Sequence, residues 1–506
     1  MLVSMSRVPV QITSIACAVA LLVGAPLLSL GLTSSGDDSG NPPPQAEPAR
    51  PEKRADASAD SRLQTSHAVM LARPNDGSVF QGRNLKWDAE ESNDSPECHG
   101  TLPICVHWTD DGPSAATLNQ AQSTLAAAVT SWQVIVQDLN FRAPLPDTRS
   151  NIDGGNSKFD IYLADTGSKD LSGYTSSDDS RLSKNSDYRY RDVSAFSVID
   201  NDFRDGQFDN DASQLDRMRV AVAHELFHAS QFAYDHAEDL WLVEGTAAWV
   251  EEQVFDSVNL NRTWLKRGPL KRNFDPLDLG RNGNEYGSWV FFQYLSERYG
   301  AGFVRQVWRY ADDSPEQLGD KRTQTYSMRA VARALNQRDR TLANVFATFA
   351  RDNLRPGRAY EEGETFPRPD VVPFLLDRRS DDTGWLGLGL RHLSSAYVSF
   401  RPSNDAARVG QIRISANGPD RRFYPRFWVT VQFKSGKIDH VGVRLGKHGD
   451  GSVRVPFGRK KVAAVDVSMV NASARMTNCW KRDTPFSCSG RPLDEGKNYK
   501  IRARLS

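Results

Sequence analysis

Apolar and polar residues change their spacing several times along the 506 residues of this chain, and each change marks a different kind of element. Residues Met1 to about Leu32 carry Arg7 and then a mostly apolar run, Ile15 to Val23 and Leu27 to Leu32, interrupted by Gly24 and Pro26. Such a run behind a basic residue reads as a secretory signal sequence or an uncleaved membrane anchor over 1–32. From 33 to 66 the chain is Ser, Asp, Gly, Pro, Ala, Glu and Arg with almost no large apolar residue. It buries too little surface to offset its conformational entropy, so a disordered linker is expected.

Between Ala115 and Leu139 the residues Leu118, Leu125, Val129, Trp132, Ile135 and Val136 recur at helical period, predicting a long amphipathic helix. Phe159 to Leu163 and Ser194 to Asp200 read as strands. Helical segments then follow over Val222 to His228, Trp241 to Glu251, Tyr286 to Gly300, Phe303 to Ala311, Tyr326 to Leu335 and Thr341 to Asn353. Past Pro367 the period drops to two. Ala396 to Phe400, Val409 to Ile414, Phe427 to Phe433, Val441 to Leu445, Lys461 to Val470 and Tyr499 to Leu505 are short alternating runs between turn residues, the pattern of an antiparallel β-sandwich. The expected fold class is α+β, with a helix-rich domain over 67–366 and a β-sandwich accessory domain over 367–506.

Composition changes this picture in two places. Lys and Arg balance Asp and Glu at 63 each, with both signs mixed along the chain, so no clustered basic surface is legible and a nucleic-acid partner is not expected. Apart from Cys17 there are four cysteines, Cys98 with Cys105 and Cys479 with Cys488, each pair closing a short local loop. Behind an export signal this spacing predicts two disulfides; a four-cysteine zinc site would want closer pairs. Secretion, or anchoring with the folded part outside the cytoplasm, is the expected location, with membrane attachment through the N-terminal apolar segment as the second form.

The candidate chemistry centres on Val222-Ala223-His224-Glu225-Leu226-Phe227-His228. Residues four apart share a helix face, so His224 and His228 can present two imidazoles to one Zn²⁺, while Glu225 stands beside them to take a proton from an attacking water. A helix whose histidines merely pack is the alternative. A third ligand is expected from a neighbouring helix, and Trp241-Leu242-Val243-Glu244-Gly245-Thr246-Ala247 offers Glu244 in an apolar stretch followed by small residues. Glu251, seven residues on, lies on the same face and could hold a metal-binding histidine or the substrate. His236 and Glu238 are rival ligands in the connecting loop. The metzincin spacing fails, because Gln231 and Tyr234 occupy the positions where that class has Gly and His. The acidic stretch Asp200 to Asp211 could coordinate Ca²⁺ with its many short carboxylates, although it lacks EF-hand spacing; turns and a helix cap account for it as well.

These motifs resemble the gluzincin metallopeptidases, above all the aminopeptidase N and leukotriene A4 hydrolase branch, in which a Trp-Leu-x-Glu-Gly-x-Ala segment follows His-Glu-x-x-His. The resemblance implies a zincin-like domain with one zinc ion on His224, His228 and Glu244, and Glu225 as general base. It also implies that Tyr286, at the head of Tyr286-Gly287-Ser288-Trp289, hydrogen-bonds the oxyanion. In zinc peptidases of this type a strand edge beside the active-site helix holds extended substrate, a role that falls on Ser194 to Asp200. Two departures stand out: no Gly-x-Met-Glu-Asn segment occurs upstream, and the gap from His228 to Glu244 is shorter than in that branch. From Ile104 to Asp313 the chain is also similar to a little-studied family of proposed secreted bacterial metalloproteases, through Ile104 to Trp108, Phe159 to Leu163 and the histidine block. The expected function is a secreted zinc endopeptidase acting on protein or peptide. The alternatives are a non-catalytic surface protein that keeps the fold, and a zinc esterase or amidase. Oligomeric state is not legible.

Overall fold

The computed structural model describes residues 17–20, 73–74, 87 and 96–506, apart from 151–152, 184–185, 209, 319–324, 378 and 404–409. Most of the expected signal segment and all of the expected linker lie outside the described residues. Among those described, no helix is long and apolar enough to cross a membrane.

The N-terminal half is built on a six-stranded sheet. Its strands are β1 (Cys17–Ala20), β2 (Glu97–Cys98), β3 (Ile104–His107), β4 (Phe159–Ala164), β5 (Leu171–Ser176) and β6 (Phe196–Asp200), in the spatial order β1-β5-β6-β4-β3-β2. β3, β4 and β6 run parallel, while β5 is antiparallel to β6 and β1 antiparallel to β5. Every residue of β3, β4, β5 and β6 is buried, although β5, Leu-Ser-Gly-Tyr-Thr-Ser, is not an apolar run and buries hydroxyls instead. The strand expected at the substrate edge, Ser194 to Asp200, is therefore internal. β6 is hydrogen-bonded on both sides, and β5 is the strand nearer the edge.

Helix α1 (Leu118–Trp132) opens with a capping box, Thr117 Oγ1 accepting from Gln120 N while Gln120 Oε1 accepts from Thr117 N, and runs on into a π-turn over Gln133–Asp138. Helix α2 (Gln214–Phe232) is capped by Ser213, with Asp216 in the first turn, where the helix dipole favours negative charge. Between α1, the β5–β6 face and α3 (Leu240–Val254), every residue of α2 from Val220 to Phe232 is buried, and so is every residue of α3 from Trp241 to Glu252. Helices covered on all sides are normally apolar all round. The polar residues inside this pair, His224, Glu225, His228, Gln231, Glu244 and Glu251, are thus the anomaly that the fold has to explain.

Further helices complete the layer: α4 (Asn284–Gly287), α5 (Trp289–Tyr299), α6 (Gly302–Ala311), α7 (Pro315–Leu318), α8 (Ser327–Asn336), α9 (Leu342–Asp352) and α10 (Pro356–Ala359). Trp241, Trp249, Trp289 and Trp308 are fully buried among them. Truncating any one to alanine would cost about 3–5 kcal/mol. Gly245 lies where α3 meets the α4–α5 segment. A Cβ there would lie 2.6 Å from Ser288 Oγ and 3.0 Å from Phe292, so this glycine seats α3 against the α4–α5 segment.

The C-terminal half holds β7 (Val372–Leu376), β8 (Leu386–Leu390), β9 (Ser394–Pro402), β10 (Gln411–Asn417), β11 (Pro425–Phe433), β12 (Ile438–Gly442), β13 (Asp450–Pro456), β14 (Val462–Asn471), β15 (Met476–Thr477), β16 (Arg491–Pro492) and β17 (Lys497–Leu505). A five-stranded sheet, β12-β11-β14-β9-β7, and a four-stranded one, β13-β10-β17-β8, share a core of Phe400, Val429 and Val467 against Ile414, Tyr499 and Ile501. The sheets are antiparallel except that β7 runs parallel to β9, with Val372 opposite Val398. The protein is thus α+β, with a sheet-rich C-terminal region.

Both expected disulfides are present, Cys98–Cys105 and Cys479–Cys488. The second lies on an excursion that leaves the sandwich after β14 and packs on the helical half. There the Cys488 amide donates to the Asp239 carboxylate at the head of α3 (2.8 Å), and Ser487 donates to Asp278.

Candidate metal centre

The spacing of two histidines on α2 and one glutamate on α3 becomes a single cluster in three dimensions. Ligand atoms of His224, His228 and Glu244 all lie within 4.8 Å of one another, and all three residues are buried. Glu244 Oε2 is 3.2 Å from His224 Nε2 and 3.5 Å from His228 Nε2.

Second partners fix which ring nitrogen faces inward. His224 Nδ1 lies 2.6 Å from Glu251 Oε1, an acceptor, so the ring proton sits on Nδ1 and the Nε2 lone pair faces Glu244. Gln231 does the same for His228. Its Nε2 donates to Val243 O (2.9 Å) and Thr246 Oγ1 (3.0 Å) on α3, which turns Oε1 to His228 Nδ1 at 2.7 Å. His228 Nε2 is left buried with no hydrogen-bond partner among the described residues. Two imidazole nitrogens and a carboxylate oxygen thus converge, a set that a shared cation, or a proton on His224 Nε2 donated to Glu244, makes favourable.

The electrostatics agree. Burial alone would raise Glu244, but His228 and His224 hold its carboxyl down at about 2. Burial opposes charge on His224, yet Glu244 and Glu251 outweigh it and push the imidazole up to about 10, so without a metal a proton takes the cation's place. His228 is lowered, chiefly by burial.

Glu225 faces the sheet. Thr175 Oγ1 on β5 donates to Glu225 Oε2 at 2.8 Å and has Ser197 Oγ 2.7 Å away, while Glu225 Oε1 is buried with no partner among the described residues. Burial, with the charges of Glu244 and Glu251, raises the Glu225 carboxyl to about 8. Gly173 leaves room for it, since a Cβ there would stand 2.8 Å from Val198 O and 3.2 Å from Glu225 Cγ. The Tyr286 ring centroid is 6.2 Å from that of His224 and stacks at 4.5 Å on Trp264. Beside it Glu285 is buried with Oε2 unpartnered, and burial together with Glu244 pushes its carboxyl up to about 7.

Of the residues expected at the site, His224, Glu225, His228, Glu244, Glu251 and Tyr286 are brought together. The rival ligands are not: His236 Nδ1 bonds Arg191 O, and Glu238 Oε2 accepts from Asp239 N and Ser327 N. In the acidic stretch, Asp200 accepts from the Gly167 and Phe203 amides and Asp205 pairs with Arg217; no three carboxylates converge there among the described residues. A second convergent group, Glu252, Asp256 and Glu362, is partly exposed and carries Arg262 on Glu362. Gln231, Thr175, Gly173 and Glu285 were not anticipated as parts of the site. For Gln231 the signal was available, since it stands three residues after His228 and hence on the same helix face.

No curated protein matches this chain. Solved structures similar to it include the pre-peptidase C-terminal domain of collagenase from Bacillus anthracis, at 8% identity over 27% of this chain and 95% of that one, TM-score 0.16. Another is a family GH115 4-O-methyl-α-glucuronidase with specificity for decorated arabinogalactans, at 8% identity over 58% of this chain and 44% of that one, TM-score 0.14. Residues 110–350 match the model of a family of unknown function, DUF6055. It is to this family that the stretch bearing His224, Glu225, His228, Glu244, Glu251 and Tyr286 is similar.

Proposed function

We propose that this chain is a zinc-dependent peptidase, gluzincin-type in its ligand set and zincin-like in its catalytic half. The observation that carries this reading is the convergence of His224 Nε2, His228 Nε2 and Glu244 Oε2, with both outer ring nitrogens already committed to Glu251 and Gln231. The donor set fits the ion, because two neutral imidazoles and one carboxylate are ligands that a catalytic zinc takes while keeping an open position. Bound there, zinc would supply Lewis acidity to a substrate carbonyl and make a water more acidic.

The chain's own residues would do the rest. Glu225, with Oε2 held by Thr175 and Oε1 uncommitted, would accept the proton of the attacking water and hand it to the departing amine. Its raised carboxyl suits a group that must take up and release a proton near neutrality. Tyr286, braced by Trp264, would donate to the carbonyl oxygen as charge collects there. A peptide substrate is supported by β5, whose outer side already takes an extended backbone antiparallel, Cys17 standing opposite Thr175. Two disulfides fit an oxidising compartment outside the cytoplasm, in keeping with secretion or surface anchoring.

The test is metal content by elemental analysis, together with digestion of a peptide library by wild type, by chelated protein and by Glu225→Gln. One zinc per chain is expected in wild type and in the variant, with turnover in the untreated wild type alone. Turnover by Glu225→Gln would refute the mechanism, and stoichiometric zinc without turnover in wild type would favour a non-catalytic binding protein.

A further inference from the structure

We propose that the outer face of the four-stranded sheet β13-β10-β17-β8 binds a linear anionic polysaccharide. The strand register carries the inference. Arg413 on β10 stands directly opposite Arg454 on β13 and directly opposite Arg504 on β17, so three guanidinium groups form one row across three adjacent strands. Residues opposite one another in an antiparallel pair share a face, and like charges placed so destabilise the sheet. A row of three is an arrangement that folding alone disfavours and that a polyanion would relieve.

Neighbouring positions extend the pattern. In the next row Ser415 lies between Ser452 and Arg502, and in the one after it Asn417 lies between Asp450 and Lys500. The alternate residues Ile412, Ile414, Ala416, Tyr499, Ile501 and Ala503 point the other way and are buried in the sandwich core. The outward set is exposed at Arg413, Arg454, Arg504 and Lys500.

Internal neutralisation is incomplete. Asp382 is taken by Arg502, with Nε to Oδ1 at 2.8 Å, and reaches Arg504 only at 4.0 Å. The side chains of Arg413 and Arg454 enter no ion pair or hydrogen bond with the described residues.

The chemistry of the face favours a saccharide over a nucleic acid. Guanidinium groups suit carboxylate and sulfate, and the interleaved hydroxyls and amides suit ring hydroxyls. Tyr499 is the one aromatic residue in the four strands and it lies on the buried face; Trp385, exposed one residue before β8, is a single ring at the end of the strip, which therefore lacks the series of platforms on which successive bases stack. This surface is separate from the candidate metal centre, and the proposal stands whatever that centre does.

The experiment uses the full chain on immobilised heparin, a sulfated and carboxylated polysaccharide, with hyaluronan as a carboxylate-only arm and oligothymidine as a nucleic-acid arm. Wild type is expected to bind heparin in a salt-dependent way. Arg413→Gln/Arg454→Gln/Arg504→Gln is expected to bind roughly ten-fold more weakly or worse, with a shallower salt dependence. Arg422→Gln, on an exposed arginine outside the row, should leave binding unchanged. The triple variant's thermal midpoint should not fall, because it relieves repulsion; if it does fall, the charge-preserving triple Lys variant is measured and must bind heparin. Undiminished heparin binding by the triple Gln variant would overturn the proposal, as would equal loss in Arg422→Gln or tighter binding to oligothymidine than to heparin. Hyaluronan binding close to that of heparin would assign the recognition to carboxylate, and its absence would assign it to sulfate.

Discussion

Gln231 Oε1 lies 2.7 Å from His228 Nδ1 while the amide nitrogen of the same side chain donates to two acceptors on α3, so one residue both orients a candidate ligand and bolts together the helices that carry all three. Replacing Gln231 with Leu leaves His228 Nδ1 without an acceptor and frees the ring to turn. Zinc affinity should fall about 10- to 100-fold with helix content preserved. Competition with a chromophoric chelator measures this; an unchanged affinity would mean that the ring is held by packing alone.

Gly173→Ala tests the contact between β5 and the base. The added methyl meets a backbone oxygen at 2.8 Å, which cannot yield without moving β6, and Glu225 Cγ at 3.2 Å. Overpacking of this kind costs about 1–3 kcal/mol. The expected result is a lower thermal midpoint together with reduced kcat toward a peptide and little change in zinc content. Full activity in this variant would show that Glu225 does not depend on the shape of β5.

The candidate cluster is legible in the sequence because helical periodicity converts spacing into geometry: His224 and His228 four apart, Glu244 and Glu251 seven apart on the next helix. What it hid were the contacts that cross from one element to another. Thr175 reaches Glu225 from a strand fifty residues earlier in the chain. Ser194 to Asp200 reads as the substrate edge because an apolar run carries no strand order, and β5, Leu-Ser-Gly-Tyr-Thr-Ser, holds too few apolar residues to be read as a strand. The arginine row was invisible for the same reason: Arg413, Arg454 and Arg504 are dispersed in sequence and meet only through register. In the sandwich, alternation marks β9, β10, β11, β12, β14 and β17 but not β7, β8 or β13, so the parallel β7–β9 pair is not legible.

His392 gives a pH signature away from the metal centre. Burial opposes its charge, but Asp278, 2.8 Å away, and Glu495 push the imidazole up to about 9. The unfolded value is about 6.5, so the folded state binds the proton more tightly. The stabilisation is complete below that pH and is lost as pH rises through the folded value. It should amount to on the order of 1–3 kcal/mol. Denaturant midpoints from pH 6 to pH 10 should decline in wild type and flatten in His392→Asn; parallel curves would place the dependence elsewhere.

Cys479→Ser/Cys488→Ser loosens the excursion that supports Asp239. Removing a short-loop disulfide typically costs about 2–5 kcal/mol. Because the Cys488 amide bonds Asp239 at the head of α3, weaker zinc retention should accompany the loss of stability. Equilibrium dialysis of zinc with oxidised, reduced and double-Ser protein reads this directly, and equal retention in all three would uncouple the disulfide from the site.

That contact between Cys488 and Asp239 also sets a timetable. The amide that pins the head of the Glu244 helix lies 249 positions downstream of Asp239, and it is held in place by a disulfide that forms only in an oxidising setting. A still-reduced chain would therefore carry its histidines in line but Glu244 on an unanchored helix. On the proposed peptidase reading, hydrolytic competence would wait on that oxidation.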